Sequence, residues 1–201
     1  MDARQWDQRY AGAELLWSAG PNAFVEAELS GVSGGRALDL AAGEGRNAIW
    51  LAERGLEVTA VDFSQVALDR GGEIAARRGV QVHFERADVL SYAPQIGAYD
   101  VVLLSYLHLP WDGMERVFEI ACRALSPGGV LLVIGHDVDN LERGHGGPPD
   151  AAVLYRPGQV AQALERRALT VERAEQVERK VQTSTGVARA LDALVRARRA
   201  A

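Results

Sequence analysis

Lysine is almost missing from this chain of 201 residues: Lys180 is the single lysine among 22 basic residues. None stands near Gly43 and Gly45, which excludes a lysine-bearing phosphate loop and phosphoryl transfer by that route. Cysteine is equally scarce. The lone Cys122 permits no intrachain disulfide, and its place in the helical run Glu119–Leu125 reads as a small core residue rather than a nucleophile. No stretch of 18 or more apolar residues occurs, and the opening MDARQWDQRY is polar with no apolar signal segment, so a cytoplasmic protein without a membrane partner is expected. Excess positive charge is lacking too. A net charge of −5 argues against electrostatic association with nucleic acid, and no nucleic-acid partner is expected. Repeats and low-complexity tracts are absent.

What is present is a chain 48% hydrophobic and 24% charged, which suits one domain over residues 1–201 with a sizeable core. Its most informative segment is Ala37–Ala48, ALDLAAGEGRNA, where a strand-like apolar run carrying an acid opens through two glycines into a helix. Gly43 and Gly45 lack Cβ, so the backbone can take φ > 0 and present its N–H groups to a ligand at the positive end of that helix. Gly43-x-Gly45-x-x-Ala48 also fits the dinucleotide fingerprint, so the loop alone does not name its cofactor. The bland alternative is a helix start that needs glycine only for packing.

Strand-like and helix-like segments then alternate. Arg36–Leu40, Glu57–Asp62, Val80–Glu85, Tyr99–Ser105 and Val130–Ile134 read as strands. Between them fall helices over Gly45–Arg54, from a Ser64 cap to Arg78, and over Asp112–Leu125, the last ended by Ser126-Pro-Gly-Gly129. Gly71 and Gly72 weaken the second of these. A short helix over Gln159–Arg167 precedes Leu169–Val181 and Ala188–Arg198, read as two strands joined through Thr183–Gly186. The order predicts a Rossmann-like, doubly wound α/β fold: three layers and seven strands, mostly parallel with an antiparallel C-terminal edge hairpin. Ligands should bind at the carboxyl ends of its strands.

Asp39-Leu-Ala-Ala-Gly43-Glu-Gly45, Val61-Asp62, Ala87-Asp88, Tyr99-Asp100-Val-Val102 and Leu125-Ser-Pro-Gly-Gly-Val130 resemble, in order and spacing, the motifs of the class I S-adenosylmethionine-dependent methyltransferases. Gly45-Arg-Asn-Ala48, Trp6-Asp-x-x-Tyr10 and Leu16-Trp-Ser-x-x-Pro-Asn22 further resemble the small tellurite-resistance and thiopurine S-methyltransferase-like branch. The resemblance implies S-adenosylmethionine as cofactor. It places the backbone of Gly43 and Gly45 beside the methionine moiety, Asp39 at the cationic amino-acid end, Asp62 on both ribose hydroxyls and Asp88 on the adenine amine. Ala41, Arg46, Asn47, Phe63, Val89 and Ser105 complete that expected site. Residues 1–30 form a cap in such proteins, with Trp17 as the aromatic that shields the sulfonium; Trp6 and Tyr10 serve equally well to pin the segment to the core. Ala41 departs from the family pattern, where a glycine is usual, and an ordinary φ < 0 with a slightly altered loop is expected there.

The implied reaction is methyl transfer to a small-molecule nucleophile, with a thiol or chalcogen favoured and a hydroxyl or amine as alternatives. An anionic sulfur needs no base; a hydroxyl or amine does, and His108 and His136 are the candidate catalytic residues, as general base or acceptor-positioning groups. Either also reads as a hydrogen-bonded loop residue. Tyr106, Trp111 and Tyr155 are the candidate acceptor-binding residues, although Tyr106 and Trp111 could instead pack on the helix from Asp112. Asp137–Arg156, with Gly144, Gly146 and Gly147 as hinges, is either a lid or a plain surface loop. His136, Asp137, Asp139 and His145 lack recurring ligand spacing, so no metal is expected. Two rivals stand beside this reading. One is an NAD(P)-dependent oxidoreductase, for which Asp62 would suit the ribose but Tyr-x-x-x-Lys is lacking, Gln176 standing four before Lys180. The other is a non-catalytic adenosine-cofactor-binding module.

Overall fold

The computed structural model describes residues 3–11, 20–183 and 186–201. Helix α1 (Ala3–Ala11) and helix α2 (Ala23–Leu29) precede strand β1 (Arg36–Leu40). Helix α3 (Arg46–Glu53), β2 (Glu57–Asp62), α4 (Gln65–Arg77), β3 (Val82–Arg86), β4 (Tyr99–Ser105) and α5 (Trp111–Ala124) alternate after it. Then come β5 (Leu125–His136), the single turn α6 (Asn140–Arg143), α7 (Pro157–Glu165), β6 (Leu169–Thr183) and β7 (Gly186–Arg199). They build one seven-stranded sheet in the order β3-β2-β1-β4-β5-β7-β6. The first five strands pair in parallel and β7 pairs antiparallel with both β5 and β6. The expected fold is therefore the observed one, including the edge hairpin.

Period-two burial explains why helices cover both faces. On β4, Val102 and Leu104 join Leu38, Leu131 and Phe118 in one buried cluster, while Val101 and Leu103 join Ala37, Trp50 and Leu132 in the other. A strand whose side chains are apolar in both directions is stable only between two helical layers. Winding reverses between β1 and β4, and that reversal opens a crevice at their carboxyl ends.

One segment differs from the sequence reading, and one helix forms despite its two glycines. Strand β5 begins at Leu125, so Ser126–Gly129 belongs to the strand rather than only ending a helix. Gly129 makes this workable, since a Cβ there would lie 2.9 Å from the Tyr99 carbonyl oxygen. Helix α4 keeps Gly71 because its surface is a contact: a Cβ would meet the Phe84 ring at 2.7 Å and the Glu44 carbonyl at 2.9 Å. The helix thereby lies directly on the loop after β1.

Candidate active site

Three of the five residues from 41 to 45 adopt left-handed backbone: Ala41 at φ 60°, Gly43 at 58° and Gly45 at 71°. Ala41 corrects the expectation of a negative φ. The Ala42 N–H donates to the Val61 carbonyl at 3.0 Å, and the Gly45 N–H returns to the Ala42 carbonyl at 3.0 Å. The loop closes with glycine-like geometry although alanine occupies its first position, at a strain of about 1 kcal/mol. Gly43 and Gly45 are required sterically as well. A Cβ on Gly43 would stand 2.5 Å from the Tyr10 hydroxyl, and one on Gly45 would stand 2.7 Å from the Phe84 ring.

Asp39 and Asp62 end the two strands that feed this loop, and their environments differ. Asp62 is satisfied: its Oδ2 accepts from the Gly43 N–H at 2.8 Å and its Oδ1 from the Ser64 N–H at 2.9 Å. It ties the glycine loop to the cap of α4. Asp39 is 1% exposed, and neither carboxylate oxygen has a hydrogen-bond partner. Burial, and then the neighbouring Asp62, push its carboxyl up to about 7, against the smaller pull of the Arg46 guanidinium. The Ser105 Oγ at the end of β4 is likewise buried and unpartnered. An orphaned carboxylate on β1 and an orphaned hydroxyl at the end of the neighbouring β4, near the left-handed loop, suit a ligand that brings a cationic donor.

The other expected cofactor contacts have assorted roles. Arg46 opens α3, and burial lowers its pKa, with Tyr106, Arg179 and Asp39 close enough to act on it. Asn47 is buried and accepts the Asn22 N–H at 2.9 Å, so it anchors the segment leading into α2. Asp88 is exposed and caps its own turn, accepting the Leu90 N–H at 2.8 Å. Val89 is buried beside it, and half-buried Phe63 precedes Ser64. In α1, Tyr10 is 4% exposed and stacks on Trp6 with centroids 5.6 Å apart. Arg70 of α4 donates to the Tyr10 carbonyl and lies 3.3 Å from Glu44 of the loop, which fixes α1 over the glycine turn. Trp17 lies outside the described residues.

At the ends of β4 and β5 stand the groups expected to meet an acceptor. Tyr106 takes φ 58°, and its N–H still reaches the Ile134 carbonyl at 2.7 Å. Its hydroxyl donates to Asp192 Oδ2 at 2.6 Å and receives bonds from Asn22 Nδ2 at 3.2 Å and Arg179 Nε at 2.9 Å. Arg179 also donates to Asp192 Oδ2 at 2.7 Å. His136 faces Asp192 directly across the β5–β7 register, with Nδ1 3.2 Å from Oδ1, close enough to pair but off the line of a ring N–H bond. The two histidine rings stack with centroids 5.4 Å apart.

Three expected acceptor residues face elsewhere. His108 uses both ring nitrogens, Nδ1 3.3 Å from the Val153 carbonyl and Nε2 accepting the His136 N–H at 3.3 Å. Burial, and then His136, push it down to about 4. Trp111 bonds Glu115 at 3.1 Å and packs edge-on to Phe118, turning back on its own helix. Tyr155 is 1% exposed, stacks on His108, and fits only because residue 135 is glycine, where a Cβ would lie 1.9 Å from its hydroxyl. Tyr155 thus backs His108, and Trp111 lies against its own helix.

Sequence reasoning missed Arg179 and Asp192, because the C-terminal hairpin was read for its edge position alone. The available signal was an acid inside the apolar run Leu191-Asp-Ala-Leu-Val195, every residue of which is buried. The glycine loop at 144–147 is pinned: Asn140 Nδ2 donates to the Gly146 carbonyl at 2.8 Å while Asn140 Oδ1 accepts the Leu191 N–H at 2.7 Å. Among the described residues, no cluster of three metal-ligating side chains occurs and no helix is long and apolar enough to cross a membrane.

This arrangement, a glycine turn and strand-end acids on a seven-stranded mixed sheet, is the Rossmann-like class I methyltransferase fold. Residues 37–129 are similar to the family model described as a methyltransferase domain. The tRNA 5-carboxymethoxyuridine methyltransferase of Escherichia coli (strain K12) is 33% identical over 112 residues, covering 53% of this chain and 42% of that protein. The chain thus spans less than half the length of that relative. Among solved structures, one described as "Conversion of a Disulfide Bond into a Thioacetal Group during Echinomycin Biosynthesis" superposes with a TM-score of 0.80 at 22% identity, covering 98% of this chain and 91% of that one. TehB from Haemophilus influenzae gives 0.73 at 16% identity, covering 89% and 62%. These two likenesses show the shared fold. The tRNA relative also corrects one expectation: an acidic net charge does not exclude a nucleic-acid partner for this kind of domain, because net charge describes the whole surface and not the neighbourhood of one site.

Proposed function

We propose that this protein transfers a methyl group from S-adenosylmethionine to a small-molecule nucleophile. The observation that carries the reading is the Asp39 carboxylate, buried without a partner at the mouth of the loop 41–45. A buried charge of this kind is retained where a bound cation completes it, and the amino-acid end of S-adenosylmethionine carries an ammonium. The cofactor supplies an electrophilic methyl group on a sulfonium centre. Asp39 and Ser105 would hold its amino-acid end, the Gly43–Gly45 backbone would lie along it, and Asp62 would receive the ribose hydroxyls on the lone pairs its two backbone bonds leave. Asp88 and Val89 would border the base. Residues 1–30 would act as a cap, with α1 already seated over the glycine loop through Arg70, so that water is kept from the reacting centre.

The acceptor would meet this centre beside Tyr106 and His136. His136 has a side chain 12% exposed and Asp192 none, so the recess suits a small acceptor. The assignment to the tellurite-resistance and thiopurine S-methyltransferase-like branch belongs to the same proposal, supported by the fold likeness to TehB over 89% of this chain. A thermal-shift panel tests the cofactor: S-adenosylhomocysteine and S-adenosylmethionine should raise the melting temperature while NAD and NADP do not. Equal shifts from NAD would restore the oxidoreductase reading. Transfer of labelled methyl across thiols, chalcogen oxyanions, phenols and small amines then separates an enzyme from a binding module.

A further inference from the structure

We infer that Asp192 is a positioning residue that orients His136 as the proton acceptor for an acceptor hydroxyl of phenol or enol type. The inference deepens the methyl-transfer reading and rests on it. Asp192 stands opposite His136 in the β5–β7 ladder, is fully buried, and directs Oδ1 to within 3.2 Å of Nδ1. Its other oxygen is saturated by the Tyr106 hydroxyl and the Arg179 Nε at 2.6 and 2.7 Å. Those donors, with His136, outweigh burial and hold the Asp192 carboxyl below its ordinary range. An ionised Asp192 favours the proton on Nδ1, which leaves the lone pair on Nε2. That atom has no partner among the described residues, in contrast to His108, both of whose nitrogens are engaged.

The surrounding geometry suits an acceptor with an acidic O–H. Tyr106 and His136 stand with tilted rings, centroids 5.1 Å apart, and His108 stacks on His136, so what the imidazole would offer an acceptor is its Nε2 edge. An imidazole base matches acids whose pKa lies within a few units of neutrality. Nε2 takes the hydroxyl proton, the oxygen electron pair forms the new O–CH3 bond, and the S–CH3 bond breaks with its pair left on sulfur. The imidazolium, stabilised by Asp192, later returns the proton to water.

The test uses the full-length protein with 15N-labelled histidine. In the wild type, the His136 imidazole should show the Nδ1–H tautomer; in Asp192→Asn it should redistribute toward Nε2–H. An Nε2–H wild type, or an unmoved tautomer in the variant, overturns the proposal. With S-adenosylhomocysteine present, 4-nitrophenol is the acceptor probe. At a pH below its own ionisation it should appear as bound nitrophenolate in the wild type and lose at least tenfold of that band in Asp192→Asn or His136→Gln. No binding, or binding without ionisation, overturns the acceptor class. S-adenosylhomocysteine affinity, measured on the same samples, keeps the two readings apart. If the wild type fails to bind it, the methyl-transfer reading falls; if it binds normally while the tautomer is wrong, only this inference falls.

Discussion

Replacing Asp39 by asparagine removes a charge that the apo protein holds at a loss. Burial raises the Asp39 carboxyl from 3.8 to about 7, so the native state keeps a proton that the unfolded chain releases near pH 4. A folded-state pKa above the unfolded one contributes stability that is complete below the unfolded value and is lost as pH rises through the folded value. Three pH units correspond to an upper limit of about 4 kcal/mol, and relaxation around the site reduces this to about 2 kcal/mol between pH 5 and pH 8. Asparagine has the same shape and does not titrate. In a chain of this length, the variant should therefore melt about 4–8 °C above the wild type at pH 8, with the gap shrinking toward pH 5. Calorimetric melting of both proteins across that range is the assay. Parallel melting curves would refute the reasoning. Binding should move in the opposite direction: S-adenosylhomocysteine affinity should fall by about 10- to 100-fold in Asp39→Asn, since a charged hydrogen bond contributes about 1.5–3 kcal/mol. Wild-type affinity should rise with pH through 7, with protons released to the buffer as the ammonium draws the carboxyl into its ionised form.

Asp62→Ala should weaken cofactor binding by about 2 kcal/mol or more by calorimetry. It should also lower the melting temperature, because the Gly43 and Ser64 N–H groups lose their acceptor. Ala41→Gly relieves the left-handed strain at φ 60° and should stabilise the protein by no more than about 0.5 kcal/mol in urea titration, because the added unfolded-state entropy of glycine offsets most of the relief. His108→Ala should destabilise through lost stacking on Tyr155 and His136 yet leave the shape of the pH–rate profile unchanged; loss of its acid-side limb would return His108 to the chemistry as a base. Gly135→Ala should cost about 3 kcal/mol or more, since the new methyl collides with a buried tyrosine hydroxyl.

The sequence by itself determined the fold to within a few residues at each element end. Continuous apolar strands such as Tyr99–Ser105, alternating with capped amphipathic helices, leave few topologies that bury both strand faces, so β1–β5 and the closing hairpin were legible from periodicity. The glycine loop and its strand-end acids were legible too, because backbone conformation and charge at a ligand are set by residue type over a short span. Tertiary structure decided the acceptor side. Nothing local distinguishes His108 from His136: their roles separate only where the Val153 carbonyl occupies one and Asp192, more than fifty residues downstream, faces the other. The backbone of Ala41 likewise follows from a long-range bond, the one its neighbour makes to Val61 on β2. Periodicity reports which face of an element is buried; which polar groups meet across the sheet depends on strand order and register, and those place β7, with Asp192, beside β5 and His136.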